Sequence, residues 1–96
     1  MFKNKIPKTI SIMGETITVE YVDHLETNGM FGQWIAKENK ILIQKELSTD
    51  IAESTFIHEV LHAVLTKAGY GDDNYYGEQF VLIISGLLHQ ALKKEK

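Results

Sequence analysis

Two histidines and a glutamate interrupt an otherwise apolar run of ten residues, FIHEVLHAVL, at positions 56–65. On a helix that turns about 100° per residue, His58, Glu59 and His62 fall on one stripe, and nearly all of the remaining circumference is apolar. A helix with this pattern is buried, and each buried polar group without a partner costs about 1–3 kcal/mol. The three polar side chains therefore need a common partner.

A divalent cation is the simplest common partner for these side chains. His58 and His62 are one helical turn apart, so both imidazoles can bind one ion at about 2.0–2.1 Å. The H-E-x-x-H spacing is the zinc-hydrolase pattern, in which the glutamate lies beside the ion rather than on it. Glu59 is predicted to be a general base that takes a proton from a metal-activated water and later protonates the leaving amine. Because the chain has no cysteine, its metal ligands must be nitrogen and oxygen atoms.

A catalytic zinc ion also needs a third protein ligand and one open position. Glu78 and His89 lie on one face of a predicted second helix, about 16 Å apart along its axis, so they cannot bind one ion together. Spacing alone does not choose between them. The favoured interpretation of His89 is a partly buried helix residue, and that of His24 is a solvated loop histidine.

The first half of the chain alternates polar and apolar residues and is rich in β-branched side chains, a pattern typical of strands. Gly14 separates the first two segments and a polar turn separates the last two, so each pair predicts a hairpin. The four segments are TISIM at 9–13, TITVEYV at 16–22, FGQWIA at 31–36 and KILIQ at 40–44. We expect a small antiparallel sheet of three or four strands within residues 5–45.

The second half of the chain predicts two helices. Residues 48–50 offer N-cap candidates, Asp50 and Glu53 have capping-box spacing, and Gly69 provides a C-terminal stop. The predicted helices cover about residues 50–68, which carry the histidines, and about residues 75–94. A sheet followed by helices predicts an α+β fold.

Length and charge limit the classes of function. A chain of 96 residues predicts a single domain, residues 1–96. Its net charge of −3 gives no electrostatic reason to bind nucleic acid. No segment approaches the roughly 18 apolar residues that would span a bilayer, and the N-terminus has no apolar signal region. We therefore expect a cytoplasmic protein that has neither nucleic acid nor a membrane as a partner.

The run FIHEVLHAVL, the following Gly69, the segment YGEQFV at 76–81 and the apolar helix that ends GLLHQAL resemble a known family. This family is the small phage- and prophage-encoded zinc metallopeptidase-like proteins of the gluzincin type. The segment NKILIQ at 39–44 is similar to their last strand before the active-site helix, and the similarity covers roughly residues 29–94.

The resemblance implies a minimal zincin-like fold, one bound Zn²⁺ ion and hydrolysis of peptide bonds. It also implies that a glutamate of the second helix is the third zinc ligand, at the position of Glu78. Among the activities known for such proteins is the removal of regulators in trans on mobile elements.

The resemblance implies a peptide or protein as the substrate, and an edge strand within residues 31–44 could hold an extended peptide by main-chain hydrogen bonds. So short a chain has little surface to shape a specificity pocket. This favours either one dedicated regulator as the substrate or a site completed by oligomerisation. The sequence does not determine the oligomeric state. Tyr75 or Tyr76, at the start of the second helix, is expected to donate a hydrogen bond to the tetrahedral oxyanion.

The alternative interpretation is a non-catalytic binding or regulatory protein of a mobile element, which keeps the metal only to hold two helices together. A structural zinc site is closed by a fourth protein ligand and does not need Glu59. The sequence offers no evident fourth ligand, which favours the catalytic interpretation.

Overall fold

The fold is a four-stranded sheet followed by two helices, which confirms the predicted α+β class. The computed structural model describes residues 6–25, 31–69 and 78–93. Its strands are β1 (Thr9–Ile12), β2 (Glu15–Val22), β3 (Gly32–Ile35) and β4 (Lys40–Gln44), and its helices are α1 (Thr49–Lys67) and α2 (Glu78–Lys93). A short 3₁₀ turn, Ala36–Glu38, connects β3 to β4.

Both predicted hairpins are present. In the first, Met13 and Gly14 have φ angles of 52° and 81°, the left-handed pair that a tight turn between β1 and β2 requires. In the second, Asn39 has a φ of 51° and ends the 3₁₀ turn before β4 begins. The local pattern of strand and turn residues therefore places both hairpins correctly.

The sheet is mixed, so the prediction that it is antiparallel was wrong for one of its strand pairs. The strand order is β1-β2-β4-β3, and β2 pairs in parallel with β4, from Thr18 opposite Lys40 to Val22 opposite Gln44. β2 and β4 are the strands that carry fully buried isoleucines, and pairing them puts these side chains in the middle of the sheet. The less buried β3 is left at an edge, where its pairing partner is β4.

Helix α1 packs on the sheet through its buried side chains. Its N-cap is Ser48, whose Oγ accepts a hydrogen bond from the backbone N–H of Ile51 at 3.3 Å. The proposed capping box of Asp50 and Glu53 is therefore not the cap, and Glu53 is instead buried. The core that α1 completes consists of Ile17, Val19, Ile41, Ile43, Phe56, Ile57 and Ala63.

Polar contacts fix the C-terminal end of α1 against both hairpins. The Lys67 ammonium donates to Glu15 at 2.6 Å and to Asn39 at 2.8 Å. The hydrogen bonds from Lys67 and Asn39 lower the pKa of Glu15, although this side chain is exposed to solvent. Trp34 Nε1 donates to Thr66 Oγ1 at 3.1 Å, one turn after His62.

Helix α2 contacts α1 through a narrow face. Its buried residues in the described range are Val81 and Ser85, whereas Leu82, Ile83 and Leu87 are more than half exposed. Neither described helix is long and apolar enough to cross a membrane.

Candidate metal centre

The imidazole rings of the two histidines of α1 lie next to each other. His58 and His62 are one turn apart, and their ring centroids are 4.9 Å apart with an angle of 68° between the planes. Their side chains retain only 15% and 14% of their exposure. The imidazoles therefore lie together in a mostly buried position, as the sequence pattern predicted.

A carboxylate from α2 faces both imidazoles. Glu78 Oε2 lies 2.8 Å from His58 Nε2, and Glu78 Oε1 lies 3.1 Å from His62 Nε2. One ligand atom from each of the three residues can be chosen so that all lie within 4.8 Å of one another. Glu78 begins α2 and remains 61% exposed, so the group opens to solvent on this side.

This donor set fits a zinc ion. Two imidazole nitrogens and one carboxylate oxygen are the ligands of many catalytic zinc sites, and bonds of 2.0–2.1 Å in a tetrahedron separate the ligand atoms by about 3.3 Å. The two contacts to Glu78 use its two different oxygens, at 2.8 Å from His58 and 3.1 Å from His62, and the ligand atoms of the three residues lie within 4.8 Å of one another. Among the described residues this group has three members, which is the number that a catalytic site with one open position requires.

Electrostatics keep His58 in the form that binds metals. Burial lowers the pKa of the His58 imidazole. The Glu78 carboxylate opposes this shift, and the neighbouring His62 ring adds to it. A lowered pKa favours the neutral imidazole, and only a neutral imidazole has a lone pair for a cation.

Glu59 lies beside the histidines and is only 6% exposed. Its stem packs against the first residue of β3. A Cβ added to Gly32 would lie 3.2 Å from Glu59 Cγ and 2.5 Å from Thr55 Cγ2. The absence of a side chain at Gly32 therefore lets this face of α1 approach the strand. The sequence analysis did not single out Gly32, although a glycine inside a strand pattern often marks such a close approach.

A cleft of about 520 Å³ opens between α1, α2 and the start of β3. Three of the predicted site residues line it, namely His58, Glu59 and Glu78. Apolar side chains also line it, contributed by Phe31, Ile51 and Leu82. The cleft thus places residues that could hold a metal ion, together with the buried Glu59, next to a surface suited to an apolar side chain.

The remaining predicted residues lie elsewhere. His89 is not part of this group, since its Nε2 lies 3.3 Å from Glu53 Oε1 on the N-terminal part of α1. It is partly buried in α2, as its favoured interpretation predicted, and His24 is exposed. Tyr75 and Tyr76, the candidates for stabilising the oxyanion, are outside the described residues.

No protein-family model, curated protein or solved structure matches this chain. The resemblance to gluzincin-type proteins therefore stays a prediction from the sequence, and the case for function depends on the geometry of the centre itself.

Proposed function

We propose that this protein is a zinc-dependent metallopeptidase in which His58, His62 and Glu78 hold the ion and Glu59 is the general base. The main support is that two imidazole nitrogens of α1 lie 2.8 and 3.1 Å from the two oxygens of one carboxylate on α2. The buried Glu59 lines the same cleft as His58 and Glu78. This combination provides metal ligands and a separate base.

The proposed role of Glu59 is to transfer a proton from the attacking water to the leaving amine. When bound, zinc polarises the scissile carbonyl and makes water more acidic. Glu59 takes a proton from the attacking water as its oxygen bonds to the carbonyl carbon, and passes that proton to the amide nitrogen as the C–N bond breaks. Burial against Gly32 restricts the Glu59 side chain, which lines the same cleft as His58 and Glu78.

The substrate is an extended segment of a peptide or protein. In the described part of the chain β3 pairs with β4 alone, so its other edge can bond to a peptide backbone. Phe31 and Gly32, at the start of β3, line the cleft, so a peptide on this edge would reach the centre. An apolar side chain beside the scissile bond would pack on Phe31, Ile51 and Leu82.

The decisive experiment compares the parent protein with Glu59→Gln, both loaded with zinc, on a peptide library read by mass spectrometry. The substitution keeps size and hydrogen bonding but removes the base, so we expect unchanged zinc stoichiometry and a loss of cleavage of at least about 100-fold. Cleavage by the parent should stop with a chelator and return with zinc.

Two results would contradict the proposal. Equal cleavage by Glu59→Gln and the parent would exclude the role of Glu59. A parent protein that binds zinc but cleaves no peptide, and loses stability without it, would instead support the non-catalytic, metal-stabilised module.

A further inference from the structure

A second group of potential ligands lies at the other end of the contact between the helices. Asp50 and Glu53 come from the first turns of α1, and His89 comes from the last turns of α2. One ligand atom from each residue can be chosen so that all three lie within 4.8 Å of one another. The group therefore combines an imidazole nitrogen with two carboxylate oxygens, contributed by two helices.

Two of the three side chains, those of Glu53 and His89, are more buried than is usual for ionisable groups. Glu53 is 7% exposed, and the side chain of His89 is 12% exposed. A carboxylate buried to this degree needs a compensating charge. Its contact with His89 Nε2 is 3.3 Å long, whereas charge-assisted hydrogen bonds are about 2.7–2.9 Å. This imidazole therefore pairs only loosely with the carboxylate.

We propose that Asp50, Glu53 and His89 form a second divalent-cation site, separate from the candidate catalytic centre. A cation would bring its positive charge to the buried Glu53 carboxylate and accept the His89 nitrogen as a ligand, which is the mixture of donors that zinc and related ions use. Asp50 is exposed, so an ion can enter from solvent on that side.

The two sites cannot share one ion. Glu78 and His89 are 11 residues apart on α2, which is about 16 Å along the helix axis. The second site would hold the end of α2 to the start of α1, while the first holds the start of α2 to the histidines. The role of the second site is therefore structural, and it does not depend on the peptidase activity.

Zinc stoichiometry tests this inference directly. Equilibrium dialysis with Zn²⁺ alone, followed by metal analysis, should give two ions per chain for the parent protein. His89→Gln keeps the size and a hydrogen-bond donor for Glu53 but is a poor zinc ligand, so we expect it to bind one ion. The double variant His58→Ala/His62→Ala should also bind one ion, and adding His89→Gln to it should leave none.

Circular dichroism of each variant establishes that it is folded. If the histidine substitutions prevent folding, the test uses His89 NMR signals in the parent, which should shift with the second equivalent of Zn²⁺. The inference is overturned if the double variant binds no zinc, if His89→Gln binds as many ions as the parent, or if the His89 signals do not respond. If the parent bound one zinc ion and His89→Gln bound none, that result would exclude the first centre and support the second.

Discussion

At the scale of single residues, the protonation of His58 would limit the pH range over which the proposed first centre binds a cation. Burial lowers the pKa of His58, although the adjacent Glu78 carboxylate opposes the shift. In the unfolded chain an ordinary histidine titrates near about 6.5. As the pH falls through that value, the unfolded state takes up a proton before folded His58 does. This residue therefore lowers the free energy of unfolding of the metal-free protein as the pH falls.

We therefore predict that His58 in the metal-free protein titrates below the pH at which the urea-unfolded chain titrates its histidines. Zinc binding at the first centre should consequently persist to a lower pH than it would with an unshifted histidine, because fewer protons compete for the nitrogen. NMR titration of the imidazole signals, with and without urea, measures both midpoints. A folded midpoint above the unfolded one would mean that Glu78 outweighs burial.

At the scale of elements, the approach of α1 to β3 depends on Gly32. Gly32→Ala would place a methyl group 2.5 Å from Thr55 Cγ2 and 3.2 Å from Glu59 Cγ. We expect the free energy of unfolding to fall by about 1–3 kcal/mol, as is usual for overpacking. Urea denaturation measures this change.

Gly86→Ala is the matched control, because nothing lies within 4 Å of a Cβ at that position in α2. Since alanine is the better helix former, this variant should gain about 0.5–1 kcal/mol. If Gly32→Ala were as stable as the parent, α1 and β3 could accommodate a methyl group at this position, and the close approach at Gly32 would not limit their packing.

The same elements show which features could be predicted from the sequence. Alternation with a period of two and the left-handed positions Gly14 and Asn39 are local properties, so both hairpins were predicted correctly. The parallel pairing of β2 with β4 was missed because it depends on which apolar strands lie at the middle of the sheet. The proximity of His58 and His62 could be predicted from their spacing within one helix, whereas the contact of His89 with Glu53 joins two helices, which no local pattern specifies.

At the scale of the whole molecule, α2 is attached through few buried side chains. Val81 and Ser85 are its buried residues in the described range, while several of its apolar side chains face solvent. The contacts of Glu78 with the two histidines join the N-terminal end of α2 to α1. Because a ligand that binds only the folded state stabilises it, zinc at the first centre should strengthen the docking of α2 as well as the fold.

We predict that zinc at a free concentration 100 times its dissociation constant raises the free energy of unfolding by about 2.7 kcal/mol in the His89→Gln variant, where only the first centre remains. Hydrogen exchange of the α2 amides should slow in parallel if α2 supplies the third ligand, as we propose. Glu78→Gln in the same background keeps the helix but weakens the ligand, so the same zinc concentration should stabilise it far less. If zinc stabilised both variants equally, the ion would be held without Glu78, and α2 would not be coupled to the centre.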